Sequence, residues 1–214
     1  MPAERIGLSD LLASVDRCRD LATALMQGAL CVYPTETIYG VGGRAGGEAG
    51  ERVAAALCRA KGRAPDNPMI IIAEARARFD TLGLCWTEMA LRLADAVWPG
   101  NLTLVLDCHG GGTCAVRVSA HPFLCAVGRW IEVPLYSTSA NMSAAPYCPN
   151  PDHIYTVFRS TVDFMIDAGE LAPSPPSTIV ACPRQGEPLC LREGALSWEG
   201  LCLLLGKGEE VQRR

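Results

Sequence analysis

The sequence predicts an α/β fold in which helices flank a mixed β-sheet, and two patterns indicate it. Short, continuously apolar runs such as Ala29–Tyr33 and Met69–Ala73 are typical of strands buried on both faces, and they alternate with segments of helical periodicity such as residues 11–26. Closely spaced strand pairs, as at Leu102–Asp107 and Ala115–Val118, indicate that the sheet is mixed rather than purely parallel.

The predicted elements begin with a helix near the amino terminus. Ser9 and Asp10 can cap a helix whose apolar residues continue at helical spacing to Met26, and Gly28 ends it. Pro34 ends the strand that follows, because proline cannot donate to a strand ladder. The same reasoning predicts helices over residues 52–60, 87–97 and 122–130, and further strands over residues 133–136, 163–166, 178–181 and 189–192.

Length and composition favour one domain spanning residues 1–214. Of the 214 residues, 49% are hydrophobic and 20% are charged, which provides enough apolar surface for a sizeable core. The formal net charge of −4 disfavours a protein that coats nucleic acid, although it is compatible with a local basic pocket for a small anion. We see no signal peptide and no apolar run of the ~20 residues that span a bilayer, so we expect a cytoplasmic location without membrane contact.

The cysteine pattern favours reduced thiols. The eleven cysteines are odd in number and include no Cys-x-x-Cys pair, and most lie in apolar runs. Cys108, His109 and Cys114 come nearest to a metal motif, but a second pair of ligands at zinc spacing is missing. We therefore expect no metal held by the protein itself.

Polar residues are concentrated in loops beside the apolar strands, where α/β folds place their ligands. The glycine-rich stretch over residues 32–47, VYPTETIYGVGGRAGG, contains neither a Walker loop nor GxGxxG. Residues 59–67, RAKGRAPDN, place three cations within five residues, which suits either a solvated face or a grip on phosphate. Arg117 interrupts a buried strand and therefore needs either an internal acidic partner or an anionic ligand such as a carboxylate.

Covalent and histidine-based catalysis have little support in the sequence. The three histidines, at positions 109, 121 and 153, lie in no nucleophile elbow or metal motif. The loops contain arginine, lysine, hydroxyl groups and glycine instead, a set that suits holding phosphate groups and stabilising their charge.

Seven loop motifs in order carry a family resemblance. The motifs are PTETIYGV, KGRAPDNPMI, WPGNLT, VRVSAHP, SANMSAAP, PSTIV and LREGAL, and the resemblance that they carry covers about residues 10–197. Together they resemble the YrdC-like family of L-threonylcarbamoyladenylate synthases. The resemblance implies that family's short, single-domain form, in which a twisted mixed β-sheet flanked by helices encloses a large concave cavity.

The resemblance also implies a reaction. Members of the family are nucleotidyltransferases. They form threonylcarbamoyl-AMP and pyrophosphate from L-threonine, bicarbonate and ATP, with Mg2+ carried by the ATP. The product passes to a separate complex that modifies the adenosine next to the anticodon of tRNA. By this analogy Lys61 and Arg63 bind phosphate and are catalytic, and Arg117 binds the threonine carboxylate in a bidentate pair through two N–H groups of its guanidinium. The threonine site comprises Thr35, Arg117, Ser137 and Ser177, and the ATP site comprises Arg63, Asn67, Thr113, Ser139, Tyr147 and Arg192.

The chain departs from the family's motifs at a few positions. Glu36 replaces an aspartate, Asn101 and Ser119 replace prolines, Ala144 replaces a glycine, and Ile72 stands where some members carry histidine. These departures concern the fine geometry of the site and its affinity for substrate more than the class of reaction.

Two alternative functions compete with the synthase. Relatives of this fold have been regarded as binders of double-stranded RNA or tRNA, and weak RNA binding is compatible with a local basic face. The second is the carbamoyl-transfer domain of hydrogenase-maturation proteins, which belongs to much larger chains. Threonine-dependent release of pyrophosphate would separate all three.

Overall fold

The structure, a computed structural model, describes residues 1–64 and 69–206 of the chain. The strands in this part of the chain are β1 (Glu4–Gly7), β2 (Cys31–Tyr33), β3 (Gly40–Arg44), β4 (Ile70–Ala73), β5 (Leu102–Asp107), β6 (Thr113–Val118), β7 (Leu135–Ser139), β8 (Phe164–Asp167), β9 (Thr178–Cys182) and β10 (Leu189–Arg192). They form one ten-stranded sheet in the order β1-β8-β2-β3-β7-β4-β6-β5-β9-β10.

The helices pack on this sheet. They are α1 (Leu8–Leu12), α2 (Val15–Met26), α3 (Gly47–Lys61), α4 (Glu88–Val97), α5 (Pro122–Gly128), α6 (Pro151–Phe158) and α7 (Trp198–Leu204), with a 3-10 helix at Arg76–Leu82. Among the described residues, no helix combines the length and the apolar character needed to cross a bilayer.

The sheet is mixed, as the sequence predicts. Strand β4 runs parallel to β6 and antiparallel to β7, and β5 runs antiparallel to β6 and parallel to β9. Helices cover both faces of the sheet, as the packing of β2 shows. Successive residues of this strand point to opposite sides of the sheet. Cys31 and Tyr33 pack with residues of α2 and α5, whereas Val32 packs with residues of α3 and α6. The predicted α/β class is confirmed.

The amino-terminal helix differs from its prediction. The sequence predicts one helix capped by Ser9 and Asp10, but the structure has two helices that meet at Ala13 and Ser14. The Ser14 hydroxyl accepts a hydrogen bond from the backbone N–H of Arg17, so it caps α2 and ends the continuous helical path. A serine inside an apolar helical pattern was the signal of this break.

Strand β3 is the main element that the sequence analysis missed, because its glycines carry no alternation of apolar and polar residues. The glycines are required by close packing. A Cβ at Gly42 would lie 1.9 Å from the backbone oxygen of Tyr136 on β7, and one at Gly43 would lie 2.8 Å from the oxygen of Ala29. The glycines at positions 40, 42 and 43 of this stretch therefore belong to a strand in the middle of the sheet.

Candidate active site

A cavity of about 420 Å³ opens on one face of the sheet. Its wall is formed by residues of β3, β4, β6, β7, β9 and β10, by the loops after β2 and β7, by the residues before β9, and by Arg63 after α3. The sheet register explains how distant residues meet there, since Ser137 pairs with Ile70, Ile72 pairs with Arg117, and Ile179 pairs with Arg192. Eight of the residues predicted from the sequence line this cavity: Thr35, Arg63, Arg117, Ser137, Ser139, Tyr147, Ser177 and Arg192.

The loop after β2 is folded by its own hydroxyl groups. The buried Thr35 hydroxyl donates a hydrogen bond to the carbonyl of Ile38 over 2.6 Å, and it lies 3.3 Å from the hydroxyl of Thr37. It also accepts from the backbone N–H groups of Thr37 and Ile38, each over 3.3 Å. Thr35 therefore shapes the cavity wall, and its hydroxyl proton is committed to the loop.

Arg117 is buried, with 4% of its surface exposed, and it has internal partners. Its Nη2 donates to Glu36 Oε2 over 2.8 Å and to Asn101 Oδ1 over 2.9 Å. Its Nε donates to the carbonyl of Gly100, and its Nη1 donates to the Thr37 hydroxyl over 3.3 Å. Burial lowers the pKa of Arg117, and the charge of Glu36 opposes that shift.

These contacts decide between the two alternatives left open for Arg117. An internal acid pairs with it, and the side chain lines the cavity as well. The two-pronged grip on a carboxylate is wrong for this arrangement, because four of the five guanidinium N–H groups already donate to described residues. One N–H, on Nη1, remains for a ligand.

Lys61 lies in a different setting from the one predicted. It is 2% exposed, and its ammonium donates to the backbone carbonyl of Ser139 and, over 2.7 Å, to that of Asn141. Burial, with the nearby charge of Arg63, lowers the pKa of Lys61 to about 8. Lys61 is not among the lining residues of the cavity and instead holds the turn after β7 from behind. In this geometry Lys61 is therefore not positioned to contact a phosphate in the cavity directly.

Two other guanidinium groups line the cavity. Arg63 donates from Nη1 to the Thr138 hydroxyl over 3.2 Å. Arg192 donates from Nε and Nη2 to the carbonyl of Ser177, over 3.2 and 2.8 Å, and burial lowers its pKa. The Ser177 hydroxyl in turn lies 2.8 Å from the hydroxyl of Thr103.

The turn after β7 completes the wall. The Ser139 hydroxyl donates to Asn141 Oδ1, and the Asn141 amide donates to the carbonyl of Ala145 over 2.6 Å. The Tyr147 hydroxyl accepts a hydrogen bond from the backbone N–H of Tyr39 over 2.9 Å, and burial raises its pKa. The asparagine is a structural element of the turn and also lines the cavity.

The remaining two predicted ATP ligands have different outcomes. Asn67 lies outside the described residues. Thr113 begins β6, four residues before Arg117, and it is exposed and not among the lining residues of the cavity. Its side chain shares a strand face with that of Arg117, because residues at even spacing point to the same side.

Several lining residues are not among the predicted site residues. Thr37, Thr138 and Ser174 contribute hydroxyl groups to the wall, and Thr37 and Thr138 each contact one of its arginines. Thr37 and Thr138 lie within two residues of predicted site residues, which was the available signal, whereas Ser174 lies outside the seven motifs.

The donor set of the wall favours anions over bare cations. Among the described residues, the lining side chains include three arginines and several hydroxyl groups and no carboxylate. The described residues also contain no group of three or more histidine, cysteine, aspartate or glutamate side chains that could hold a metal ion. The guanidinium and hydroxyl groups of the wall therefore suit an anionic ligand.

Comparison with known proteins places this geometry in a family. The chain is 32% identical over 200 residues to the threonylcarbamoyl-AMP synthase of Pyrococcus abyssi and 29% identical over 213 residues to that of Bacillus subtilis. These alignments cover 89% and 94% of this chain but only 58% and 60% of the relatives, so the chain spans about three fifths of their length.

A solved structure agrees with the chain over its whole length. The crystal structure of P. abyssi Sua5 complexed with L-threonine superposes with a TM-score of 0.84 at 28% identity, and it covers 100% of this chain and 66% of that one. The family model Sua5/YciO/YrdC, described as telomere recombination, matches residues 23–194. The chain belongs to the Sua5/YciO/YrdC family.

Proposed function

We propose that this chain is an L-threonylcarbamoyladenylate synthase, which forms threonylcarbamoyl-AMP and pyrophosphate from L-threonine, bicarbonate and ATP. The names of its relatives and the threonine-bound Sua5 structure support the proposal. In this proposal the product is then used by a separate complex that modifies the adenosine next to the anticodon of tRNA.

The observation that carries the proposal is a single cavity lined by guanidinium groups and by buried hydroxyl groups. Arg63, Arg117 and Arg192 line it, and so do the buried residues Ser137 and Ser177. Guanidinium groups suit phosphate oxygens, whereas buried hydroxyls beside one arginine N–H suit a small amino acid. One cavity that holds both ligands can bring their reacting atoms together.

At the threonine end, we assign the substrate carboxylate to the remaining Nη1–H of Arg117. Ser137 and Ser177 are 7% and 3% exposed and line the same cavity, so their hydroxyls are placed to contact the polar groups of a small ligand. Thr35 forms the wall beside them through its own loop hydrogen bonds.

At the ATP end, we assign the phosphates to Arg63 and Arg192, with Ser139 and Tyr147 beside the nucleotide. Arg63 and Arg192 both line the cavity, and we assign their guanidinium groups to the triphosphate oxygens. Mg2+ would enter with the ATP and offset part of the phosphate charge. Lys61 acts indirectly, because it holds the turn that carries Ser139.

The chemistry requires proximity and charge stabilisation rather than a protein nucleophile. Bicarbonate takes up a proton and loses water to give CO2. The neutral amine of threonine adds to CO2 and releases a proton, which gives a carbamate, and a carbamate oxygen attacks the α-phosphorus. The bond from the α-phosphorus to the bridging oxygen breaks, and pyrophosphate leaves with the electron pair. The protein contributes orientation of the reactants and guanidinium groups beside the developing negative charge.

The test is pyrophosphate release from ATP with each substrate omitted in turn. We expect release only when L-threonine and bicarbonate are both present. Release at full rate without threonine would contradict the proposal. Tight binding of tRNA with no pyrophosphate release would instead favour an RNA-binding module of the same fold.

A further inference from the structure

Two side chains outside the predicted site, Glu36 and Asn101, contact Arg117, and a third, Ser119, contacts Glu36. Glu36 and Asn101 accept hydrogen bonds from its Nη2 over 2.8 and 2.9 Å. The Ser119 hydroxyl lies 2.8 Å from Glu36 Oε1 and 3.0 Å from Oε2, and it donates to this carboxylate. All three positions are departures from the family's motifs, and Arg117 joins them in one hydrogen-bond network.

The contacts leave the guanidinium little freedom. Glu36 and Asn101 use both hydrogens of Nη2, and the carbonyl of Gly100 uses that of Nε. The Arg117 side chain is 5% exposed and that of Glu36 is 24% exposed, so water screens the Glu36 end of the pair more than the Arg117 end. A buried guanidinium with four of its five N–H groups bonded keeps one orientation, because any rotation would break several charge-assisted hydrogen bonds.

This arrangement changes what the cavity offers to an anion. The carboxylate of Glu36 offsets the charge of Arg117, so the net charge at this point is close to zero. An anion is then bound mainly by a directional hydrogen bond from the remaining Nη1–H of Arg117, beside the Thr37 hydroxyl, and less by net charge.

We propose that Glu36, Asn101 and Ser119 are positioning residues that hold the Arg117 guanidinium so that it receives the carboxylate of the amino-acid substrate end-on, through Nη1. The inference rests on the proposed function, since it takes L-threonine as the ligand. It assigns recognition of the carboxylate to a network and not to Arg117 alone.

The experiment compares the binding of L-threonine with that of L-threoninamide, which lacks the carboxylate, by titration calorimetry on the full chain. In Asn101→Leu, Nη2 loses an acceptor and the guanidinium can turn, so threonine affinity should fall about tenfold. Threoninamide affinity should stay within about twofold, because no carboxylate is involved. Ser160→Ala, at an exposed serine, is the matched control and should change neither affinity.

Glu36→Gln provides a second, independent variant. The substituted amide would keep an acceptor oxygen for Nη2 while removing the charge that offsets Arg117, so threonine affinity should be maintained or increased. Equal losses for threonine and threoninamide in Asn101→Leu would overturn the inference, as would a fall in threonine affinity in Glu36→Gln. If the unmodified chain binds no threonine, the proposed function fails and the inference fails with it.

Discussion

The Lys61 ammonium lies 2.7 Å from the backbone oxygen of Asn141, 80 residues further along the chain, and donates a hydrogen bond to it. The backbone N–H of Ser143 returns a hydrogen bond to the carbonyl of Lys61 over 2.9 Å. The end of α3 and the turn after β7 are therefore joined in both directions. The stability of this turn therefore depends on the buried side chain of Lys61, and substitution of Lys61 measures how much it contributes.

Lys61→Met keeps most of the side-chain volume but removes the donor to two backbone carbonyls. Hydrogen bonds contribute about 0.5–1.5 kcal/mol each net of burial, so the free energy of unfolding should fall by about 1–3 kcal/mol in urea denaturation at pH 9, above the lowered pKa of Lys61. Arg59→Met, at an exposed position on the same helix, is the control and should change little. A similar loss in both variants would mean that the buried contacts contribute nothing particular.

The pKa of Lys61, lowered to about 8 from 10.5, predicts a dependence of stability on pH. Between about pH 8 and 10.5 the unfolded chain still binds this proton and the folded chain releases it, so folding becomes more favourable as the pH rises. The unfolding free energy of the unmodified chain, relative to that of Lys61→Met, should increase from pH 7.5 to 9.5. The comparison cancels the titration of other groups. A flat difference would mean that the folded-state pKa of Lys61 is close to its ordinary value.

Arg63→Ala should weaken the binding of a non-hydrolysable ATP analogue by more than tenfold, because it removes a guanidinium that we assign to the phosphates. Titration calorimetry measures the effect, which should shrink at high salt as the ionic contribution is screened. Arg17→Ala, at an exposed position of α2, is the matched control. Unchanged affinity in Arg63→Ala would mean that the basic loop is a solvated face.

Ala144 adopts a positive φ of 62°, a conformation that favours glycine. Ala144→Gly relieves a cost of about 1–2 kcal/mol and adds backbone entropy to the unfolded chain worth about 0.5–1 kcal/mol, so we expect a net gain of about 0.5 kcal/mol. Ala145→Gly, the exposed neighbour without a positive φ, should lose stability. Thermal and urea unfolding of the two variants check the opposite signs, and a loss in both would refute the strain.

Gly42→Ala should disrupt the pairing of β3 with β7, because the added Cβ would lie 1.9 Å from the Tyr136 oxygen. Overpacking of this kind costs about 3 kcal/mol or more when the obstacle is backbone. Gly110→Ala, where a Cβ would meet no atom within 4 Å, is the control. A neutral Gly42→Ala, measured by urea unfolding, would show that the strands can separate without cost.

Much of the fold and of the site wall follows from local sequence patterns. Apolar runs identify most of the strands, and eight of the predicted site residues line one cavity because the strands that carry them are neighbours. The misses have physical causes. Strand β3 lacks a side-chain pattern, Lys61 is captured by backbone carbonyls that no sequence displays, and the partner of Arg117 depends on a contact between residues 81 positions apart.

The sheet order also determines when a ligand could first bind to a growing chain. The cavity wall runs from Thr35 to Arg192, and its strands alternate in space between early and late parts of the sequence. The wall residues Ser177, Ile179 and Arg192 are all present only when the chain extends through β9 and β10. The site therefore forms only after most of the protein has been synthesised. A ligand that selects the complete cavity should therefore protect the whole sheet from hydrogen exchange, including the edge strand β10, and not only the loops that it touches.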